Sequence, residues 1–93
     1  MSSKSERRAA VEVVVEYHEA RLAELVQRVG DGVDRFRSGE LDVFEVDQVI
    51  FQYSRAAKEL WKFCNHTDAE FSAGLIRDGA VIDWWERGAP KHR

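Results

Sequence analysis

The start of one helix is written twice in this sequence, and that constrains the fold more than any other feature. In the stretch 41–64, LDVFEVDQVIFQYSRAAKELWKFC, Asp42 is placed to accept the amide of Glu45 while Glu45 reaches back to the amide of Asp42. That reciprocal pair is a capping box, and Leu41 with Val46 have the spacing of the hydrophobic staple around it. Behind the cap, Val46, Ile50, Tyr53, Ala57, Leu60 and Cys64 recur at steps of three and four. Such residues stack on one side of a helix, so this stretch needs an apolar partner.

Upstream, Val11, Val15, His18, Leu22, Leu25, Val29, Val33 and Phe36 hold the same phase over about seven turns. The spacing predicts one helix over 6–37, supported weakly by Glu24/Arg28 and Asp31/Arg35 at i,i+4. Two features oppose it: Val11 to Tyr17, VEVVVEY, also alternates like a strand, and Gly30 and Gly32 each cost about 1 kcal/mol inside a helix. The unbroken phase favours a helix, with a kink or break expected near Gly30. Ser5 is the expected cap at its start.

Ser38, Gly39 and Glu40 form the turn, with Gly39 suited to the left-handed position after a helix end. So short a turn folds the two helices antiparallel. Setting Phe36 beside Val46 then pairs Val33 with Ile50, Val29 with Tyr53, Leu25 with Ala57, Leu22 with Leu60 and His18 with Cys64. At about 1.5 Å per residue the first helix is about 48 Å long and the second about 36 Å, so the turns around Val11 to Val15 overhang and need cover. Thr67 with Glu70 spells another capping box, ahead of Phe71, Leu75 and Ile76, and predicts a third helix over 68–77. Asp78 and Gly79 signal a turn, and AVIDWWER (80–87) is either a further turn or two of helix or an extended segment. The expected fold is therefore all-α: a long antiparallel hairpin (about 6–37 and 42–64), a shorter third helix (about 68–77) and a Trp-rich C-terminal segment. Residues 1–93 form a single domain with flexible tails at 1–5 and 88–93.

With 14 basic and 17 acidic residues the formal charge is −3, and no basic stripe stands out along the chain, so nucleic acid is not expected as a partner. A single cysteine allows no internal disulfide, which favours a reducing compartment. No apolar run reaches the roughly 18 residues of a membrane span and the N-terminus has no secretory pattern, so neither a membrane nor export is expected and the location expected is cytoplasmic.

His18, Cys64 and His66 are the one combination of nucleophile and soft-metal ligands, and the hairpin pairing sets His18 near Cys64. Three candidate ligands, two of them in one short stretch, make a poor site, and a buried thiol with a seam histidine accounts for them. Helical nucleotide pyrophosphatases hold magnesium with paired Glu-x-x-Glu elements. Only Glu16 and Glu19 have that spacing here. Neither a metal nor another cofactor is expected, nor is catalysis.

The aromatic residues carry more information. Besides its seam, the second helix has Phe44 and Phe51 on one flank, Val49, Ala56 and Phe63 on the other, and Trp61 in addition. A hairpin buries one stripe, so a helix apolar around most of its girth needs further cover. Trp84 and Trp85, adjacent in sequence, point about 100° apart on a helix and add to the surplus. The candidate partner-binding residues are Phe44, Val49, Phe51, Trp61, Phe63 and Trp84. The occupant expected is a protein, either a second copy or a larger partner for which the chain is the small, antitoxin-like regulatory component.

Two resemblances bear on this. ELWKFC (59–64) and DWWERGAP (83–90) resemble strings of small uncharacterised bacterial helical proteins, a likeness that implies no activity. VDRFRSGEL (33–41) followed by an amphipathic helix is similar to the hairpin of the exonuclease VII small subunit, which implies a non-catalytic partner of a large nuclease subunit. This chain departs from that family in its longer first helix and its tryptophan-rich third segment. A small metal-dependent helical enzyme is the remaining alternative.

Overall fold

A computed structural model describes residues 3–91, and the tail positions Met1, Ser2, His92 and Arg93 lie outside it. The described chain forms α1 (Lys4–Arg37), α2 (Val43–Asn65), α3 (Ala69–Arg77) and the single turn α4 (Trp84–Arg87). The expected all-α hairpin with a third helix is what the chain adopts. Each boundary follows from local chemistry. Ser3, not Ser5, caps α1, accepting the amide of Glu6 at 3.1 Å.

At the other end of α1, Gly39 has φ +82°. Its N–H donates to the Phe36 carbonyl and that of Glu40 to the Arg35 carbonyl. These two bonds satisfy orphan carbonyls in the Schellman pattern, which only a left-handed residue permits. The capping box of α2 forms as expected, with Glu45 N to Asp42 Oδ1 at 2.8 Å and Asp42 N to Glu45 Oε1 at 3.0 Å.

At its C-terminus α2 is tied to α3 by one carbonyl. Phe63 O accepts from both the Thr67 hydroxyl and the buried Ser72 hydroxyl. Thr67 is thereby tied to α2, and the N-cap position expected for it is taken by Asp68. Asp68 stands at the N-cap of α3 with no side-chain hydrogen bond to it. Gly79, with φ +78°, closes α3 in the same manner as Gly39 closes α1. Of the two expectations for 80–87, the helical turn is realised over 84–87, capped by Asp83 on the Glu86 amide.

α1 is not broken near Gly30: the helix runs through both glycines without interruption. Gly32 has a packing role, since a Cβ built there would stand 3.0 Å from Val49 Cγ1. The hairpin closes on that contact. Gly32 beside Val49 is offset by one position from the expected Val33 beside Ile50, whereas Leu25 lies in one cluster with Ala56 and Leu60, against which Leu22, Ala57 and Cys64 also pack. A shift of one residue turns a helix by about 100°. The buried face of α1 is therefore Ala10, Val14, Leu25 and Gly32, while Val11, Val15 and Phe36 of the expected seam are exposed, as is Ile50 on α2.

Two clusters make the core. Leu25, Ala56, Leu60 and Trp84 are buried at the middle of the hairpin, with Tyr17, Tyr53 and Phe63 packed around them. Ala10, Val14 and Ala73 form the second, where α3 covers the overhang of α1. The ion pairs differ from those expected: Arg21 meets Glu24 at 3.0 Å and Arg35 meets Glu40 at 3.1 Å. The side chains of these two pairs are substantially exposed, so each pair contributes only about 0–1 kcal/mol.

Candidate functional site

The six residues expected to bind a partner do not form one surface. Trp84 is 5% exposed and sits in the hairpin core, where its Nε1 donates to the Tyr17 hydroxyl at 2.7 Å. Phe63 packs between Tyr17 and Trp84, with ring centroids 5.7 and 5.3 Å away. Val49 covers Gly32 inside the α1–α2 contact. Trp84 therefore belongs to the protein's own core, and Phe63 and Val49 are half-buried against it and against α1, because an apolar side chain on the α3 and α4 side finds cover within the chain. Phe44, Phe51 and Trp61 do lie at the surface, 77%, 52% and 48% exposed, with the Trp61 ring edge-on to His66 at 4.9 Å.

Gly88 explains how α4 is seated. It is buried, its carbonyl accepts from Arg55 Nε at 2.6 Å, and Trp85 O accepts from Gln52 Nε2 at 2.9 Å. Arg28 lies over the Trp85 ring at 5.4 Å and Arg87 over Trp84 at 5.6 Å. The ordered packing thus extends through Gly88, a residue expected to begin a flexible tail. Arg28 of α1 and Gln52 of α2 therefore mark the side of the hairpin that α4 covers.

Val26 and Ile50, each two residues earlier on the same helices, point about 200° away. They open onto the opposite side, where 53% of Val26 and 45% of Ile50 are exposed. On α1, Val11, Val15, Leu22, Val26, Val29, Val33 and Phe36 are separated by steps of three, four and seven and so form one stripe. Val11, Val15, Val26 and Phe36 are exposed and the other three partly so. On α2, Val43, Ile50 and Trp61 continue the same open face. The periodicity of α1 was visible in the sequence, but Val11, Val15 and Val26 lie on its outward flank, while the inward face combines Val14 and Leu25 with Ala10 and Gly32.

A second surface has the opposite character. Arg55, Lys58, Lys62, Arg87 and Lys91 line one cleft of about 440 Å³ with Glu59 as its only acid. It adjoins an apolar groove of about 450 Å³ between α2, α3 and the segment before α4. Sequence reading missed the cleft because its cations come from two stretches more than twenty residues apart, diluted among 17 acids.

Among the described residues no group of three or more His, Cys, Asp and Glu side chains is placed to hold a metal ion. Cys64 packs against both core clusters, and burial pushes its thiol from 9.0 up to about 11, so it is protonated at neutral pH. His66 lies against Trp61. Among the described residues no helix is long and apolar enough to cross a membrane. Comparison with known proteins finds no family model, no curated protein and no solved structure that matches this chain.

Proposed function

We propose that the chain is a non-enzymatic helical interaction module that works as a homodimer paired through the open face of its hairpin. The observation that carries this reading is the apolar stripe of Val11, Val15, Val26 and Phe36 on α1, exposed on the side that α3 and α4 leave open. Contiguous apolar surface of this kind marks an interaction site.

A second copy suits the stripe because the spacing is self-complementary. In a two-fold antiparallel pairing, Val15 of one copy lies beside Val33 of the other and Leu22 beside Val26, and each contact occurs twice. The same pairing brings Glu12 of one copy near Arg37 of the other, two exposed residues that make no ion pair within the described chain. The face is large enough. A strip about 39 Å long and two helix diameters across, about 20 Å, projects roughly 800 Å² per copy, the standard size of a stable interface.

Light scattering on a sizing column tests this directly. The wild type is expected at twice the monomer mass of 10.7 kDa, persisting on dilution. Val26→Glu is expected to run as a helical monomer, whereas Phe51→Glu, on the outer side of α2, is expected to stay dimeric. A wild type that is monomeric at every concentration overturns the dimer and leaves the role of small subunit to a different protein.

A further inference from the structure

The geometry points to a docking site for an acidic segment of a partner protein, one carrying a large apolar side chain, in the paired cleft formed by α2, α3 and α4. Five cations converge there in a chain whose formal charge is −3. Lys62 is paired with Glu59 at 3.3 Å. Arg55, Lys58, Arg87 and Lys91 make no ion pair among the described residues. A concave surface lined by one sign of charge focuses its field on an incoming anion. Arginine also offers the planar fork that takes a carboxylate in bidentate fashion.

The adjoining groove supplies the other half of the recognition. Phe71, Leu75 and Ile82 line it over the Phe63 and Trp84 rings, and it shares Glu59, Lys62 and Arg87 as walls with the basic cleft. Phe71 is 58% exposed, although Ser72 and Ala73 beside it on α3 are buried. A ligand that fills both halves is anionic at one end and apolar at the other.

Two features favour a peptide over a nucleic acid. Stacking of successive bases needs several free aromatic faces, and here Arg87 lies over Trp84, which leaves Phe71 as the exposed phenyl ring among the described residues of the groove. The basic surface is also short: Asp83 and Glu86 line the surface next to Arg87, which interrupts any continuous phosphate track. Discrete carboxylates on a short segment fit where a polyanion does not. The site does not include the open face of the hairpin, so it stands independently of the dimer.

The test is fluorescence anisotropy with a short fluorescein-labelled peptide that alternates glutamate with leucine and phenylalanine. A peptide with serine at the apolar positions and a labelled single-stranded oligonucleotide are run beside it. Saturable binding of the first peptide is expected, weaker for the serine version and weakened at least about ten-fold by the double charge reversal Lys58→Glu/Lys91→Glu at unchanged helicity. Val26→Glu is expected to leave that binding intact, which separates this site from the open face. The proposal is overturned by an absence of saturable peptide binding, by equal binding to the double variant, or by tighter binding of the oligonucleotide.

Discussion

Gly88 rests directly on the Ala56 turn of α2, so closely that a Cβ on Gly88 would stand 2.6 Å from Ala56 N and 2.5 Å from Gln52 O. Those atoms are helix backbone and cannot rotate away as a side chain would. Gly88→Ala is therefore expected to cost about 1–3 kcal/mol, the range for overpacking a close contact. Because the same segment carries Trp84 and Trp85, tryptophan emission should move to longer wavelength in the variant as α4 lifts. Urea unfolding with fluorescence detection measures both, and an unchanged midpoint would show that α4 is not seated this way.

The two glycines inside α1 give opposite expectations. Nothing lies within 4 Å of a Cβ built on Gly30, so Gly30→Ala gains helix propensity with no steric cost and should raise stability by about 1 kcal/mol. Gly32→Ala places its methyl 3.0 Å from Val49 Cγ1, and the strain offsets the same gain. The pair, compared by chemical denaturation at low protein concentration, should separate with Gly30→Ala the more stable. Equal stabilisation would mean that Val49 yields freely and that the helix contact at Gly32 is loose.

Why the hairpin was legible and its rotation was not is visible at these same residues. The Asp42–Glu45 box and Gly39 are local signals whose geometry depends on a few neighbours, and they fixed the helix ends and the antiparallel turn. The axial pairing was also nearly right, since Val33 with Ile50 and Gly32 with Val49 differ by one position. The facing was only partly legible: Val46, Tyr53, Ala57, Leu60 and Cys64 of α2 and Leu22 and Leu25 of α1 turn inward as expected, while Val11, Val15, Phe36 and Ile50 turn outward, because aliphatic periodicity marks an apolar flank without saying which partner covers it. Close helix approach selected Gly32, Ala56 and Ala10 for the interior, residues that a search for large apolar side chains passes over. The candidate site suffered for the same reason. Trp84 and Phe63 read as surplus because their cover comes from residues distant in sequence, such as Tyr17. The basic cleft required the packing of α4 before its charges could be seen together.

The bond from Trp84 Nε1 to the Tyr17 hydroxyl joins α4 to α1 across the hairpin core. Tyr17→Phe removes the acceptor and leaves a buried indole N–H unpaired, which should cost about 1–3 kcal/mol, the desolvation penalty of such a group. Trp84→Phe removes the donor along with part of the indole's volume and should cost more, because Leu25, Ala56 and Leu60 pack around it. The double variant should be less destabilised than the sum of the two by about 0.5–1.5 kcal/mol. Strict additivity in that cycle would mean that the two groups contribute separately.

Cys64 makes the fold sensitive to alkali. Burial raises its thiol from 9.0 to about 11, so the folded state favours the protonated form relative to the unfolded chain. The sign follows from the linkage: a group whose pKa rises on folding adds stability that is complete below pH 9 and is lost as the pH climbs through about 11. The stability difference between the wild type and Cys64→Ala should therefore shrink over that window, while changes from other titrating groups cancel between the two proteins. Reactivity reports the same ionisation, because only the thiolate attacks an alkylating agent. The half-point of the iodoacetamide rate profile should fall near pH 11, with slow modification at neutral pH. A half-point at or below pH 9, with brisk modification at pH 7, would mean that the thiol is solvated and that the packing of Cys64 between the two core clusters is not maintained in solution.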